Sequence, residues 1–344
     1  MKVIITGGAG FIGTNLAASL AKDGHEIVIF DNLSRKGTQK NADWLTSNNK
    51  NINLQKGDLR TDQAMLDQLV SDADAVYHLG GQVAVTTSVA NPREDFEINA
   101  LGTFNLLEAI RTKAKKQPIL IYSSTNKVYG GMEDVVIEQQ ADRYAYRDYP
   151  NGIAENQLID FHSPYGCSKG TADQYVRDYA RIYGLRTVVF RQSCIYGPRQ
   201  FGIEDQGWVA WFTIATLADK PITIYGDGKQ VRDVLYVDDL VAAFKMATAQ
   251  IDKTSGKIYN IGGGMTNTMS LLELVELLKK YQAKDIKPTF GDWRPGDQPV
   301  YVSDIRKAAN EFGWQPTVKV EDGVKRLTEW VKANQALFTA VGLI

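Results

Sequence analysis

The chain of 344 residues is poor in the side chains that build disulfides and metal centres. It has two cysteines, Cys167 and Cys194, and three histidines, His25, His78 and His162. Two cysteines without a CxxC pair exclude a disulfide framework. Scattered histidines without ligand spacing argue against a zinc or other metal site. Neither charge sign is in surplus: 39 Lys and Arg stand against 40 Asp and Glu, a net charge of −1. That balance argues against a dedicated nucleic-acid binder, and the densest basic run, 113–116, reads as a solvated helix end. No apolar run approaches the roughly 18 residues of a membrane span. The apolar N-terminus is broken by glycines at 7, 8, 10 and 13, and no small-residue cleavage site follows. It reads as a strand entering a loop of a cytoplasmic protein, not as a signal peptide.

What is present is a 44% hydrophobic, 23% charged composition, which excludes disorder along the whole chain. The length predicts about two domains. Short apolar runs at 3–5, 27–30, 52–54, 75–79, 119–122 and 187–190 alternate with helical stretches, notably 15–22, 95–111 and 172–183. Strands buried on both faces read as continuous apolar runs. Their alternation with helices predicts right-handed crossovers and an α/β fold with a doubly wound parallel (Rossmann) sheet. Helices are also expected at 207–218 and 271–281. The polar connection 130–163 is long enough to be a functional loop or lid. Gly291, Pro295, Gly296 and Pro299 punctuate 291–299, and the apolar tail 337–344 reads as packed or frayed.

Thr6-Gly7-Gly8-Ala9-Gly10-Phe11-Ile12-Gly13 follows the first strand and opens the first helix. Gly7 would permit a tight turn, Gly10 the close approach of a pyrophosphate, and Gly13 close packing of helix on strand. A helix N-terminus there favours an anion. Asp31 ends the second strand, 18 residues past Gly13, where a carboxylate accepts from the adenosine ribose hydroxyls and disfavours a 2′-phosphate. NAD is therefore the expected cofactor, although Arg35 and Lys36 lie near. Asp58, after the third strand, is placed to meet the adenine edge or is a plain turn residue.

Tyr165-Gly-Cys-Ser-Lys169 is a YxxxK at a helix start, with both side chains on one face. Lys169, aided by an oxidised nicotinamide, would lower the phenol pKa, so that Tyr165 becomes a base near neutral pH. The preceding strand runs into Ser123-Ser124-Thr125-Asn126-Lys127. Hydroxyls at the carboxyl end of a parallel strand face the ligand crevice. Thr125 is the first candidate to hold the reacting oxygen, and Ser124 the second.

These motifs together resemble the extended short-chain dehydrogenase/reductase family of nucleotide-sugar epimerases and dehydratases. The resemblance runs on through His78-Leu-Gly-Gly-Gln82, Asn99-Ala-Leu-Gly-Thr103, Gly226 to Asp233 and Arg294-Pro-Gly-Asp297. Within the family, 81–99, 124–130, 160–169 and 197–208 are most similar to the CDP-sugar 2-epimerases. The resemblance implies tightly held NAD, a nucleoside-diphosphate sugar, and a homodimer through helices 99–113 and 172–183. It implies oxidation to a keto-sugar and hydride return on the opposite face, at C2 of a CDP-hexose or, alternatively, at C4 of a UDP-hexose or UDP-uronate. It adds Phe11, Ile12, Asn32, Ser34, Arg35, Leu59, Gln82 and Asn99 as cofactor contacts. It adds Gln82, Ser124, Asn126, His162, Cys194, Gln200, Gln206, Tyr225, Arg232, Arg294 and Asp297 as substrate contacts, the two arginines forming a diphosphate clamp.

Two departures narrow it. Asn126 and Lys127 stand where the 4,6-dehydratases carry Asp-Glu, so the pair that eliminates water is absent. Cys194, or a shifted Ser193, stands where many members have a diphosphate-binding Asn. The expected division is 1–190 plus about 234–262 for NAD and 191–233 plus about 263–344 for the nucleotide sugar, with the site between them.

Overall fold

The computed structural model describes residues 1–294 and 297–344. Pro295 and Gly296, two of the expected loop residues, lie outside the described residues. Seven strands form one parallel sheet: β1 (Lys2–Thr6), β2 (Glu26–Asp31), β3 (Ile52–Lys56), β4 (Ala75–His78), β5 (Ile119–Thr125), β6 (Thr187–Gln192) and β7 (Lys257–Ile261). Their spatial order is β3-β2-β1-β4-β5-β6-β7, and every neighbouring pair is parallel. The order reverses between β1 and β4, the point at which a doubly wound sheet opens its ligand crevice.

The continuous apolar runs are explained by burial on both sheet faces. Val3, Ile5, Ile27, Ile29, Tyr77, Ile121 and Phe190 join one buried cluster, with helices Phe11–Lys22 and Val237–Ala249 packed on it. Ile4, Val28, Phe30, Val76, Leu120, Tyr122 and Val189 join the other, under helices Gly102–Lys113 and Ser163–Tyr183. Successive residues point to opposite faces, so each strand feeds both layers.

The first cluster also takes Ala308, Phe312 and Trp314 from far along the chain. Phe190 stacks on Phe244 at 5.3 Å and on Phe312 at 6.4 Å. Truncating such a fully buried ring costs about 3–5 kcal/mol.

The remaining chain builds a second layer around Val231–Tyr236. This strand pairs with Cys194–Tyr196, Val300–Tyr301 and Thr268–Ser270. Helices Trp208–Leu217, Leu271–Gln282 and Val320–Ala333 cover it. The apolar tail is packed: Phe338 and Leu343 are buried in that cluster.

Several boundaries differ from expectation. The first helix starts at Phe11, so Gly13 lies inside it. The 95–111 stretch is broken by a π turn at Glu97–Leu101. The long helix starts at Ser163, with Pro164 in its first turn. The segment 234–262 opens with the end of the Val231–Tyr236 strand and turns helical at Val237. The 130–163 connection contains a small hairpin, Ile137–Gln139 with Tyr144–Tyr146. Among the described residues no helix is long and apolar enough to cross a membrane.

Candidate active site

Three walls converge at the carboxyl ends of the central strands. The first is the glycine turn after β1. Gly7 has φ +66°, and a Cβ there would fall 2.7 Å from Gly80 Cα. A Cβ on Gly13 would meet the Gly7 carbonyl at 2.5 Å. These two glycines are steric requirements of the turn. A Cβ on Gly10 would meet only the Gly7 carbonyl, leaving its other side open. The helix that begins at Phe11 has no side-chain cap, and its first N–H groups have no intrahelical acceptor. That cradle fits a dinucleotide pyrophosphate.

Asp31 braces the cradle. It accepts the Ala9 N–H at 3.1 Å and the Leu33 N–H at 2.8 Å, and burial pushes its carboxyl up. Both oxygens keep a lone pair for ribose hydroxyls. Asp58 accepts from Asn32 at 3.0 Å and from Arg60 at 2.8 Å, and the Arg60 hydrogen bond holds it well below the usual carboxylate range. Arg60 was not foreseen, although the Asp-x-Arg spacing was a signal. The Ser34 N–H donates to Asn32 at 3.0 Å, and Leu59 fills the space before Gly80 and Gly102. Arg35 donates to Gln206 at 3.0 Å, tying this wall to the opposite one.

The second wall carries Thr125, Tyr165 and Lys169, all buried. Thr125 ends β5 and caps the next turn by accepting the Lys127 N–H at 3.2 Å. Tyr165 and Lys169 sit on the first turns of the long helix and are 8% and 7% exposed. Lys169 donates to the Ser123 carbonyl at 2.6 Å and lies 4.4 Å over the Tyr122 ring. Burial lowers its ammonium to about 7.

The expected depression of the phenol is not produced by these residues alone. Burial pushes Tyr165 up to about 12, with the contact to Thr125 opposing and Asp95 adding to the rise. A low phenol pKa here requires a further positive charge, such as an oxidised nicotinamide.

Ser124 is committed elsewhere. It donates to Asp173 at 2.7 Å, which is paired with the buried Arg191 at 3.0 Å. Asp95 is the residue that sequence reading missed. It accepts from Ser168 at 2.5 Å, Gln82 at 3.0 Å and Asn99 at 3.1 Å. Asn99 in turn accepts the Gln82 N–H at 2.9 Å. The Asp95–Asn99 spacing, one helical turn, was the available signal.

The third wall comes from the second layer. Arg232 donates to Asp297 at 2.6 Å, and Lys127 Nζ lies 3.7 Å from the same oxygen. Lys127 and Asp297 keep 22% and 30% exposure although protein surrounds both, which places them on a crevice. Cys194 receives the Trp208 N–H at 3.5 Å, and burial pushes its thiol up. Arg294 lies 4.1 Å over the Tyr225 ring and 3.2 Å from Asp205, and Tyr225 donates to Glu204 at 2.8 Å.

Asn126 is buried and accepts the Thr125 hydroxyl at 3.3 Å. Gln200 is buried with its oxygen unpartnered, and His162 is exposed ahead of the long helix. Asp233 bonds Ser193 and the Gly264 N–H, not Arg232. A separate hollow of about 380 Å³, bordered by Glu155, Gln174, Arg177 and Lys307, is lined by none of the predicted site residues. Among the described residues no group of three or more His, Cys, Asp or Glu is placed to hold a metal.

Residues 4–327 match the family described as GDP-mannose 4,6 dehydratase. The chain belongs to this family, a branch of the extended short-chain dehydrogenases/reductases. Its relatives include CDP-paratose 2-epimerase of Salmonella typhi, 48% identical over 339 residues, 97% of this chain and 100% of that protein. UDP-glucose 4-epimerase of Thermotoga maritima, solved with UDP-glucose, superposes with a TM-score of 0.83 at 31% identity, covering 97% of this chain and 100% of that one. UDP-glucuronic acid 4-epimerase of Bacillus cereus, solved with UDP-glucuronic acid and NAD, gives a TM-score of 0.83 at 29% identity, covering 97% and 99%. Against the dehydratase branch, this family member has Asn126 and Lys127 at the strand end after Thr125.

Proposed function

We propose that the chain is an NAD-dependent epimerase of a nucleoside-diphosphate sugar. It inverts C2 of a CDP-hexose, either CDP-paratose/CDP-tyvelose or CDP-glucose/CDP-mannose. The observation that carries this is the buried Thr125, Tyr165 and Lys169 set at the end of β5, followed by Asn126 and Lys127 where dehydration would need two carboxyl groups. The likeness to CDP-paratose 2-epimerase supports C2 and the cytidine nucleotide.

Gly10, Phe11 and Ile12 present backbone to the pyrophosphate, Asp31 takes the ribose, and Asp58 meets the adenine edge. NAD bound there supplies a hydride acceptor and then a hydride donor at the sugar carbon. Tyr165 removes the hydroxyl proton as that carbon is oxidised and returns it as the opposite face is reduced. Thr125 holds the reacting oxygen. Lys169, in its protonated form, supplies positive charge on the helix face it shares with Tyr165. Arg232 and Arg294 hold the diphosphate while the keto-sugar presents its other face.

The reading also assigns a homodimer. Phe104, Tyr175, Ile182 and Tyr183 are exposed on the two helices expected to meet, and Phe104 packs on Tyr175 at 6.0 Å, which supports it. Light scattering at twice the chain mass is the expected result. We divide the chain into 1–190 with about 234–262 and the remainder; the packing of 308–314 on the first cluster favours moving that segment to the first part. The enzyme is assigned to the cytoplasm, where NAD and nucleotide sugars are at hand.

CDP-, UDP- and GDP-sugars incubated without added NAD, with products read by NMR, test the function. Inversion at C2 of a CDP-hexose is expected, with no solvent deuterium entering C2. Inversion of a UDP-sugar at C4, which the two solved epimerases favour, would replace the C2 reading. Turnover of none would overturn both.

A further inference from the structure

We propose that Lys127 binds the diphosphate of the substrate as the third cation of the clamp. This rests on the reading that the cleft takes a nucleoside-diphosphate sugar. Arg232 has Asp297 at 2.6 Å, and Arg294 has Asp205 at 3.2 Å. Each guanidinium is thus already neutralised in the free protein. Among the described residues Lys127 has only Asp297, at 3.7 Å, and that oxygen is already bonded to Arg232. Cys194 stands near but offers no compensating charge, because burial keeps its thiol protonated. Lys127 is therefore the cation left over.

An enclosed ammonium without its own counter-ion is costly. Burial and repulsion from Arg232 lower its pKa, and the shared Asp297 offsets that only in part. The side chain is mostly enclosed but keeps 22% exposure, so its ammonium borders the crevice. A structural lysine would have a carboxylate of its own. A dianion entering beside Arg232 removes the penalty and gains a charge-assisted hydrogen bond.

The backbone fixes where the side chain starts. The Lys127 N–H donates to Thr125 Oγ1 at 3.2 Å, and its carbonyl accepts the Gly130 N–H at 3.2 Å. The side chain then runs from the strand end that carries the reacting group toward Arg232. A diphosphate held at Arg232 would therefore lie within reach of the Lys127 ammonium.

The test is calorimetric titration of the NAD-loaded enzyme with CDP, UDP, GDP and CMP, for the wild type, Lys127→Met and Lys127→Arg. Lys127→Met is expected to weaken the preferred nucleoside diphosphate about tenfold. The monophosphate should change less than about twofold, Lys127→Arg should recover most of the loss, and the NAD content should stay the same. The affinity of Lys127→Met should also fall less steeply with salt. If Lys127→Met does not fold, Lys127→Gln takes its place. Equal losses for CDP and CMP, no loss for either, or a fall in kcat at unchanged KM would overturn the proposal. The wild-type titration reports separately on the underlying reading: if it takes no nucleoside diphosphate, that reading falls and Lys127 with it.

Discussion

The wall that carries Lys169 and the wall that carries Arg232 and Arg294 treat positive charge in opposite ways. Lys169 is buried against a backbone carbonyl and an aromatic ring, and no carboxylate bonds it. Arg232 and Arg294 each hold a carboxylate. A cation kept without a carboxylate is easily discharged, which is why burial brings Lys169 near neutrality. A paired guanidinium stays charged and can exchange one anion for another. On the proposed function, the first wall would serve proton chemistry and the second would exchange a carboxylate for a phosphate.

The sharpest way to separate the walls is Tyr165→Phe. Turnover should fall about 10³-fold while bound dinucleotide, measured by absorbance after release, is retained. Surviving activity would put the base elsewhere. On the other wall, Arg232→Ala should raise KM for the nucleotide sugar on the order of tenfold or more with a smaller change in kcat. An equal loss in kcat would place Arg232 in the chemistry and erase the contrast.

Lys169 makes a prediction about stability. It titrates near 7 when folded and near 10.5 when unfolded, so between those values the unfolded chain holds the extra proton. Stability then rises with pH across that window, and the deficit is full below it. In NAD-stripped protein, Lys169→Met should melt higher than wild type at pH 7, and the gap should narrow toward pH 10. A constant gap would mean that the ammonium is compensated.

The smallest effect belongs to Arg60→Ala. Its pair with Asp58 is mostly, but not fully, buried, and its loss should cost roughly 1 kcal/mol or less, a melting shift of about 1–3 °C. A larger loss of NAD affinity than of stability would show that Arg60 acts by orienting Asp58 for adenine.

The parts of the fold visible in the sequence were those whose signal is local. Val3-Ile4-Ile5 reads as a strand because each residue is buried on one face or the other. Gly7 and Gly13 read as a turn because a Cβ at either would strike backbone. Tyr165 and Lys169 share one helix face because four residues make about one helical turn. Local signals also misled. Gly13 argues for a later helix start on propensity alone, yet its packing on the Gly7 turn holds the helix from Phe11 onward. Ser124 looked like a ligand-facing hydroxyl, but its neighbour across the fold, Asp173, claims it.

The sequence by itself determined the parallel sheet and the glycine turn, and it put Tyr165 and Lys169 on one helix face beside the strand end of Thr125. Each follows from periodicity, sterics or spacing within a few residues. Only the tertiary structure decided which charges are paired. Asp95 meets Ser168 across 73 positions, Arg232 meets Asp297 across 65, and Lys127 meets that same carboxylate from the other side of the cleft. Coulomb and desolvation energies depend on distance and burial, and neither is written in the order of residues along the chain.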